Sequence, residues 1–374
     1  MRIIHWIKQF YPYMGGGETA LYELAKQIEN EPTITENIII TTRLKGTRKQ
    51  EKLFKKTKII RISIPTDYNK DSKILLLIKN TIRDFTLHKT LKKYIDNNSI
   101  IHVHGPMTPP ILLRAFGTFF KNCKHFQPWT KFNTPVVMHY HAIPSWKKEF
   151  LKKQDINYVT KIIAVDKAIE KFLNTKKAIF IPNGVDTTRF KPYSKKPRKF
   201  LTYIGRLTKD WKGWQLFVKS TKELKNTLII GHGPEEDKVK NVFNGKLLTN
   251  INNNNIPEYY AKTNILVCPL INLFGISRVV LEGMASECIV IKSDYDPDSY
   301  PIINGITGFT FKSGNPDDLK KIIDEVTKLD KTTTTKIRKN ARKIIEKNFE
   351  ITEIAKKIIK EYKNAKNEFL INKS

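Results

Sequence analysis

Several short stretches carry side chains suited to a phosphorylated or hydroxylated ligand. Tyr203-Ile204-Gly205-Arg206-Leu207 ends an apolar run, and Lys212-Gly213 follows just before a helical pattern. A planar guanidinium and a mobile ammonium at that place can clamp a diphosphate and neutralise it as a leaving group without a metal ion. Glu282 lies in Arg278-Val279-Val280-Leu281-Glu282-Gly283-Met284-Ala285, a helix start where a carboxylate can accept hydrogen bonds from ribose hydroxyls. Met14-Gly15-Gly16-Gly17-Glu18 opens another helix, whose apolar face is Ala20, Leu21, Leu24, Ala25 and Ile28. Glycines there let backbone N–H groups approach an anion at a helix N-terminus. The G-x-G-x-x-G spacing of dinucleotide folds is absent, and a flexible turn is the alternative reading.

Histidines form a second group. His139 and His141, in Val136-Val137-Met138-His139-Tyr140-His141, alternate and so share one face of a strand, with His141 at its end. His102 and His104, in Ile101-His102-Val103-His104, read as structural or acceptor-side. No acid or cysteine completes a ligand set by spacing, so no metal site is expected. Cys123, Cys268 and Cys288 are scattered without metal spacing and are expected to be reduced and structural.

The elements that must position these groups follow an α/β rhythm. A chain of 374 residues can build two cores, and its 40% hydrophobic content is that of a globular protein. No apolar run approaches the roughly 18 residues of a membrane-spanning helix. Met1-Arg2-Ile3-Ile4-His5-Trp6-Ile7-Lys8 lacks the layout of a secretory signal, so a cytoplasmic location is expected. Apolar β-branched runs at 2–7, 37–42, 57–64, 99–104, 135–141, 161–165 and 177–182 read as buried parallel strands. A basic, proline-bearing stretch between Arg189 and Arg198 interrupts them and marks a domain junction. A second series runs over 199–205, 227–231, 246–249, 264–269, 288–292 and 307–311, followed by helices near 316–328, 331–347 and 350–368. Asn252 to Asn255 suit a loop. The expected organisation is a domain over 1–190, a second over 198–348, and a C-terminal helix over 349–374. Ligands of doubly wound sheets bind beyond the carboxyl ends of the strands, where the chemically equipped loops lie.

Charge adds a partner class. With 67 Lys plus Arg against 36 Asp plus Glu, the net charge is +31, which calls for an acidic neighbour: nucleic acid, an anionic membrane face or phosphorylated small molecules. Lys79 to Lys93 is densely basic, and Arg114-Ala115-Phe116-Gly117-Thr118-Phe119-Phe120-Lys121, continuing through Lys124, Phe126 and Trp129, interleaves cations with aromatics. Such a helix can lie on an anionic membrane, which would suit a lipid-linked acceptor; an ordinary helix with its aromatics in the core is the plainer alternative. No nucleic-acid module is present, so no specific nucleic-acid partner is expected.

Taken in order, these segments, with Ile181-Pro182-Asn183-Gly184-Val185-Asp186-Thr187-Thr188-Arg189-Phe190, resemble the retaining glycosyltransferases of family 4, across nearly the whole chain. The resemblance implies a GT-B fold, two Rossmann-like doubly wound domains facing across a cleft, with the C-terminal helices packing back on the N-terminal domain. It implies a nucleotide-sugar donor and a glycan, lipid-linked or protein acceptor, with no cofactor or metal. On the donor side it implies Arg206 and Lys212 at the diphosphate, Glu282 at the ribose, Gly16 and Gly17 closing over the phosphates, and Ser277, Arg278 and Val279 at the start of the acid helix. His141 resembles the active-site histidine beside the transferring sugar. Retention implies that the leaving diphosphate helps deprotonate the acceptor on the same face.

The sequence also departs from the pattern. Eight positions before Glu282, where the family carries a first glutamate toward the donor sugar, stands Phe274. Ser286-Glu287-Cys288-Ile289 replaces a small-residue, glycine and proline turn, and the stretch from Arg206 to Lys212 is one residue longer than usual. A non-catalytic scaffold, a basic nucleic-acid- or membrane-binding protein, and another GT-B enzyme such as a sugar-nucleotide epimerase remain the competing readings.

Overall fold

Strands rich in Ile and Val on both faces cannot be left half in water, and here each sheet buries them. The computed structural model describes residues 1–63, 72–105, 132–141, 143–144, 156, 159–192, 197–209, 212–271, 273–274, 276–295 and 300–371. The first sheet takes β1 (Arg2–Trp6), β2 (Glu36–Thr42), β3 (Gln50–Lys52), β4 (Thr57–Ile62), β5 (Ser99–His104), β6 (Val136–Tyr140), β8 (Lys161–Ala164) and β9 (Ala178–Phe180), in the order β3-β4-β2-β1-β5-β6-β8-β9. All its pairings are parallel except that of β3, an edge strand antiparallel to β4. β3 reads Gln-Glu-Lys, so no apolar alternation announces it.

The second sheet contains β10 (Phe200–Ile204), β11 (Thr227–Ile230), β12 (Lys246–Leu248), β13 (Thr263–Cys268), β15 (Ile289–Ser293) and β16 (Phe309–Phe311), all parallel, in the order β12-β11-β10-β13-β15-β16. Two short strands bridge the domains: β7 (Ile143–Pro144) and β14 (Leu273–Phe274) pair antiparallel, Phe274 opposite Ile143.

Helices cover both sheets: α1 (Gly16–Ile28), α2 (Lys73–Tyr94) and α3 (Lys167–Leu173) in the first half, then α4 (Trp214–Ser220), α5 (Glu236–Val242), α6 (Ile256–Lys262), α7 (Arg278–Ala285), α8 (Pro316–Thr327), α9 (Lys331–Asn348) and α10 (Ile351–Ile371). Local chemistry sets their ends. Asn315 caps α8 by accepting from the Asp317 and Asp318 N–H groups, with Pro316 at the first helical position, and Asp330 caps α9 by accepting from Thr333 N–H. The asparagine run forms no open loop: Asn253–Asn255 makes one 3-10 turn, because the Asn252 side chain caps it at Asn254 N–H before α6. The basic-aromatic segment 114–129 and Cys123 lie outside the described residues.

The last helix ties the halves together. After α9 packs on α7 in the second domain, Ile351 N–H donates to the Val185 carbonyl and Val185 N–H to the Phe349 carbonyl, which turns α10 onto the first sheet. Ile354, Ala355, Ile358, Ile359, Tyr362 and Ala365 recur at helical spacing and pack against Ile3, Leu24, Ile100, Val137 and Ile163. Each fully buried Ile or Val contributes about 1.5–3 kcal/mol, so this strap is held by a large apolar face. Gly184 allows the crossing: a Cβ there would sit 2.9 Å from Ile351 Cα. Among the described residues, no helix is long and apolar enough to cross a membrane.

Candidate active site

The carboxyl ends of both sheets meet at the cleft, and the groups singled out from the sequence gather there in three clusters. The first joins the two domains. Gly15 precedes α1 without a side-chain cap, Gly16 and Gly17 begin it, and the Glu18 carboxylate folds back toward Gly15. Burial raises the Glu18 pKa, against the pull of Arg206 nearby. Arg206 leaves the end of β10 exposed to solvent, and its Nη1 donates to Tyr13 Oη at 2.5 Å, with the guanidinium 5.5 Å from the Tyr13 ring centroid. Lys212 lies close enough that Arg206 depresses its pKa, although burial is the larger cause, and the ammonium comes down to about 8. Gly213, in the left-handed region at φ 68, turns the chain into α4 where a side chain would strike the Pro269 carbonyl. Arg206 thus reaches the residue before the glycine loop from the other domain, with Lys212 beside it.

Glu282 anchors the second cluster. Its Oε2 accepts from Tyr260 Oη at 2.8 Å, and Arg278 Nη2 lies 3.4 Å from its Oε1. Burial raises the carboxyl pKa while Arg278 and Tyr260 oppose that rise. Arg278 is buried and also donates to the Gly184 carbonyl at 2.8 Å, so it ties the acid helix to the domain junction. Ser277 caps α7 without a side-chain hydrogen bond, and Val279 follows on the half-buried side. A small cavity lined by Cys268, Ser277, Lys292, Ser293 and Tyr300 opens at the ends of β13 and β15; of the donor-side candidates, Ser277 lines it. Burial pushes the Cys268 thiol up to about 12 and the Cys288 thiol to about 11, which keeps both protonated.

The third cluster is made of imidazoles. His141 stands at the end of β6, where a Cβ on Gly17 would be 3.4 Å from its Cδ2, so the glycine loop and this histidine are in direct contact. His141 Nε2 lies 3.0 Å from His104 Nδ1, and His104 Nε2 lies 2.9 Å from His5 Nδ1. His102 Nδ1 meets Tyr362 Oη of α10 at 2.6 Å. Burial depresses all five rings, His5 to about 3 and His141 to about 4, and His102, His104 and His139 well below the ordinary value. They are neutral near pH 7 and hold or pass hydrogen bonds as uncharged imidazoles. A second cavity, lined by His104, His139, His141, Asn183 and Gly184 with Leu24 and Ile358, runs from this cluster toward α10.

Gly17 and His141 are therefore brought together on one side, Arg206 reaches Tyr13 from the other with Lys212 near it, and Glu282 with Arg278 lies beside the junction. Sequence reasoning missed Tyr13, the partner of Arg206, and Asn183, whose buried Oδ1 has no hydrogen bond and whose amide lies beside His141. The aromatic before the glycine loop and the Pro-Asn-Gly string were the available signals. His5 was missed because its partners stand on strands far away in sequence. At Phe274, which stands where the resembled pattern carries a first carboxylate, the backbone pairs with Ile143 across the cleft.

The comparisons agree with this architecture. The family model of Glycosyltransferase Family 4 matches residues 14–189, and that of Glycosyl transferases group 1 matches residues 185–344. Two uncharacterized glycosyltransferases of Methanocaldococcus jannaschii are 26% identical over 54% of this chain and 25% identical over 64% of it. Those matches span 57% and 69% of the relatives' own lengths. Sucrose-phosphate synthase from Thermosynechococcus elongatus superposes over 100% of both chains with a TM-score of 0.77 at 17% identity. HepE of Anabaena, solved with UDP and glucose, covers 97% of this chain and 100% of its own with a TM-score of 0.69 at 17% identity. Both share the fold of two facing parallel sheets. With the two family models joined end to end over 14–344 and that fold in common, the chain belongs to the group 1 glycosyltransferases of GT-B architecture.

Proposed function

We propose that this protein transfers a sugar from a nucleoside diphosphate donor to a glycan, lipid-linked or protein acceptor, with retention of configuration and without a metal at the diphosphate. One observation carries the reading: Arg206, at the end of β10 with Lys212 near it, reaches across to Tyr13 just before the glycine helix start, where Gly17 touches His141. In the transfer, the bond from the anomeric carbon to the diphosphate oxygen breaks and a bond to the acceptor oxygen forms. The acceptor proton goes to the leaving diphosphate. Arg206 and Lys212 neutralise charge as it develops, which is where preorganised cations lower a barrier most. Glu282 holds the ribose hydroxyls with the lone pairs that Tyr260 and Arg278 leave open. His141, being neutral, orients a sugar hydroxyl rather than supplying charge. The UDP and glucose bound by HepE make a UDP-sugar the first donor to try.

The test is calorimetric titration with UDP, GDP and ADP and their sugar conjugates, with and without magnesium. Binding of one diphosphate in the absence of magnesium, followed by product of retained configuration, supports the proposal. Binding that requires magnesium, or an inverted product, contradicts it.

An anionic membrane is the partner that best suits the basic surface. Leu75, Ile78 and Ile82 recur along α2 and are 41%, 43% and 50% exposed, on a helix that also carries Lys89, Lys92 and Lys93. Such a face can lie on an acidic bilayer and bring a lipid-linked acceptor to the first domain. Sedimentation with phosphatidylserine vesicles is expected to be salt-sensitive and lost on replacing the three lysines; equal binding to neutral vesicles would contradict it.

A further inference from the structure

We infer that His5, His102 and His104 form a binding site for one divalent transition-metal ion of the zinc class, inside the first domain and behind His141. The site follows from strand order. β1 and β5 are parallel neighbours with His5 in register with His102, and His104 stands two residues further along the same face of β5. Three imidazoles therefore project from two adjacent strands toward one volume, their centroids 4.2 to 5.2 Å apart. One nitrogen from each lies within 4.8 Å of the others, and all three residues are buried.

The hydrogen bonding leaves room for an ion rather than excluding one. His5 Nε2 and His102 Nε2 are buried with no partner, as is Asn37 Oδ1 beside the His5 ring. A ligand set of His5 Nδ1, His102 Nε2 and His104 Nε2 gives each outward nitrogen an acceptor. In that set His102 Nδ1–H would donate to Tyr362 Oη and His104 Nδ1–H to His141 Nε2, and His5 Nε2–H would turn to Asn37 Oδ1, the orphaned acceptor beside its ring. That outer ring of acceptors is how ligating histidines are usually fixed in tautomer and orientation. The chain already holds His5 Nδ1 and His104 Nε2 at 2.9 Å. Two nitrogens on a tetrahedral zinc ion stand about 3.4 Å apart, so coordination opens that pair by about half an ångström and puts the ion where the shared proton was. Imidazole nitrogens with no carboxylate select zinc, cobalt, nickel or copper over magnesium and calcium, and the fourth position falls to water or hydroxide.

The neighbouring set of His104, His139 and His141 also brings three nitrogens within 4.8 Å. It is the weaker candidate, because neither nitrogen of His139 has an acceptor that would orient it. Metal at the inner set leaves His141 free for the cleft and fixes its Nε2 as the hydrogen-bond acceptor.

The test uses the full chain with any affinity tag removed, freed of metal with a chelator and titrated with cobalt, then zinc. One equivalent of cobalt with the absorption of a tetrahedral ion, displaced by zinc, is expected. His102→Gln should abolish that spectrum, His139→Gln should keep it, and Tyr362→Phe should weaken affinity by roughly 10–100-fold at unchanged stoichiometry. Failure of the wild-type chain to hold an equivalent overturns the inference, as does a spectrum that survives His102→Gln or vanishes in His139→Gln. Where His102→Gln does not fold, the wild-type stoichiometry and the His139→Gln spectrum still decide.

Discussion

The two sheets share an architecture but not a chemistry. In the second sheet, β10, β13 and β15 interlock through Leu201, Tyr203, Ile265, Val267, Ile289 and Ile291, and the charged groups wait at the strand ends. In the first sheet, β1, β5 and β6 carry His5, His102, His104 and His139 within the strands themselves, beneath α10. An aliphatic sheet is stable whatever its loops carry, so Arg206 and Lys212 can be altered at little cost to folding. A sheet filled with neutral imidazoles has its stability and its chemistry in the same side chains.

The largest effect should come from the second domain. Arg206→Ala and Lys212→Ala are each expected to reduce donor kcat/KM by roughly 10²–10³-fold, the range for removing one preorganised donor to a developing anion. Their melting temperatures should stay near wild type. Steady-state kinetics beside thermal melts would expose a structural role if both fell together. Lys212 also sets a pH limit: a lysine brought down to about 8 loses its charge above that pH, so donor kcat/KM should fall as pH rises through it. Lys212→Arg should move that fall upward, and a profile unchanged by the substitution would remove Lys212 from the diphosphate.

Next in size is acid sensitivity, which belongs to the first domain. Histidines with depressed native pKa values take up protons more readily when unfolded. Stability is therefore full above the ordinary value of about 6.5 and is lost as pH falls below it, by up to about 1.4 kcal/mol per pH unit for each such ring. The window for His5 extends to about pH 3 and that for His141 to about 4. Denaturant melts of metal-free protein between pH 7 and 5 should be steep, and His5→Asn should flatten them. A flat wild-type profile would mean the rings are not held neutral.

Gly184→Ala comes third. A Cβ 2.9 Å from Ile351 Cα meets backbone, so a loss of about 1–3 kcal/mol is expected from overpacking, with α10 loosened first. Hydrogen exchange along α10 would locate it. Smallest is Tyr13→Phe, which removes an exposed hydrogen bond to Arg206 worth about 0.5–1.5 kcal/mol. A change in donor KM of a few fold with unaltered kcat is the expected reading.

Much of the fold was legible because its strands are buried on both faces and announce themselves as Ile-Ile-Ile or Ile-Val-Ile runs. The apolar stripe of α10 was legible as that of an amphipathic helix, while its return to the first domain was expected only from the family resemblance. Strands of a few polar residues, as in β3, and the β7–β14 pair spanning the cleft were not, because their pairing depends on neighbours far off in the chain. The candidate site divides the same way. Arg206, Lys212 and Glu282 could be picked by residue type at a strand end or helix start. The histidine cluster could not, since alternation reveals His102 with His104 but nothing in the sequence says that β1 lies beside β5. Arg278, read as a donor-side residue, also reaches the Gly184 carbonyl, a contact set by the domain junction.

The most direct test of the division between the two sheets is donor binding measured calorimetrically in metal-free buffer, on wild type, Arg206→Ala and His102→Gln side by side. Binding of a nucleoside diphosphate sugar by wild type, kept by His102→Gln and lost by Arg206→Ala, is the expected result. Undiminished binding by Arg206→Ala would contradict the assignment of the diphosphate to the end of β10.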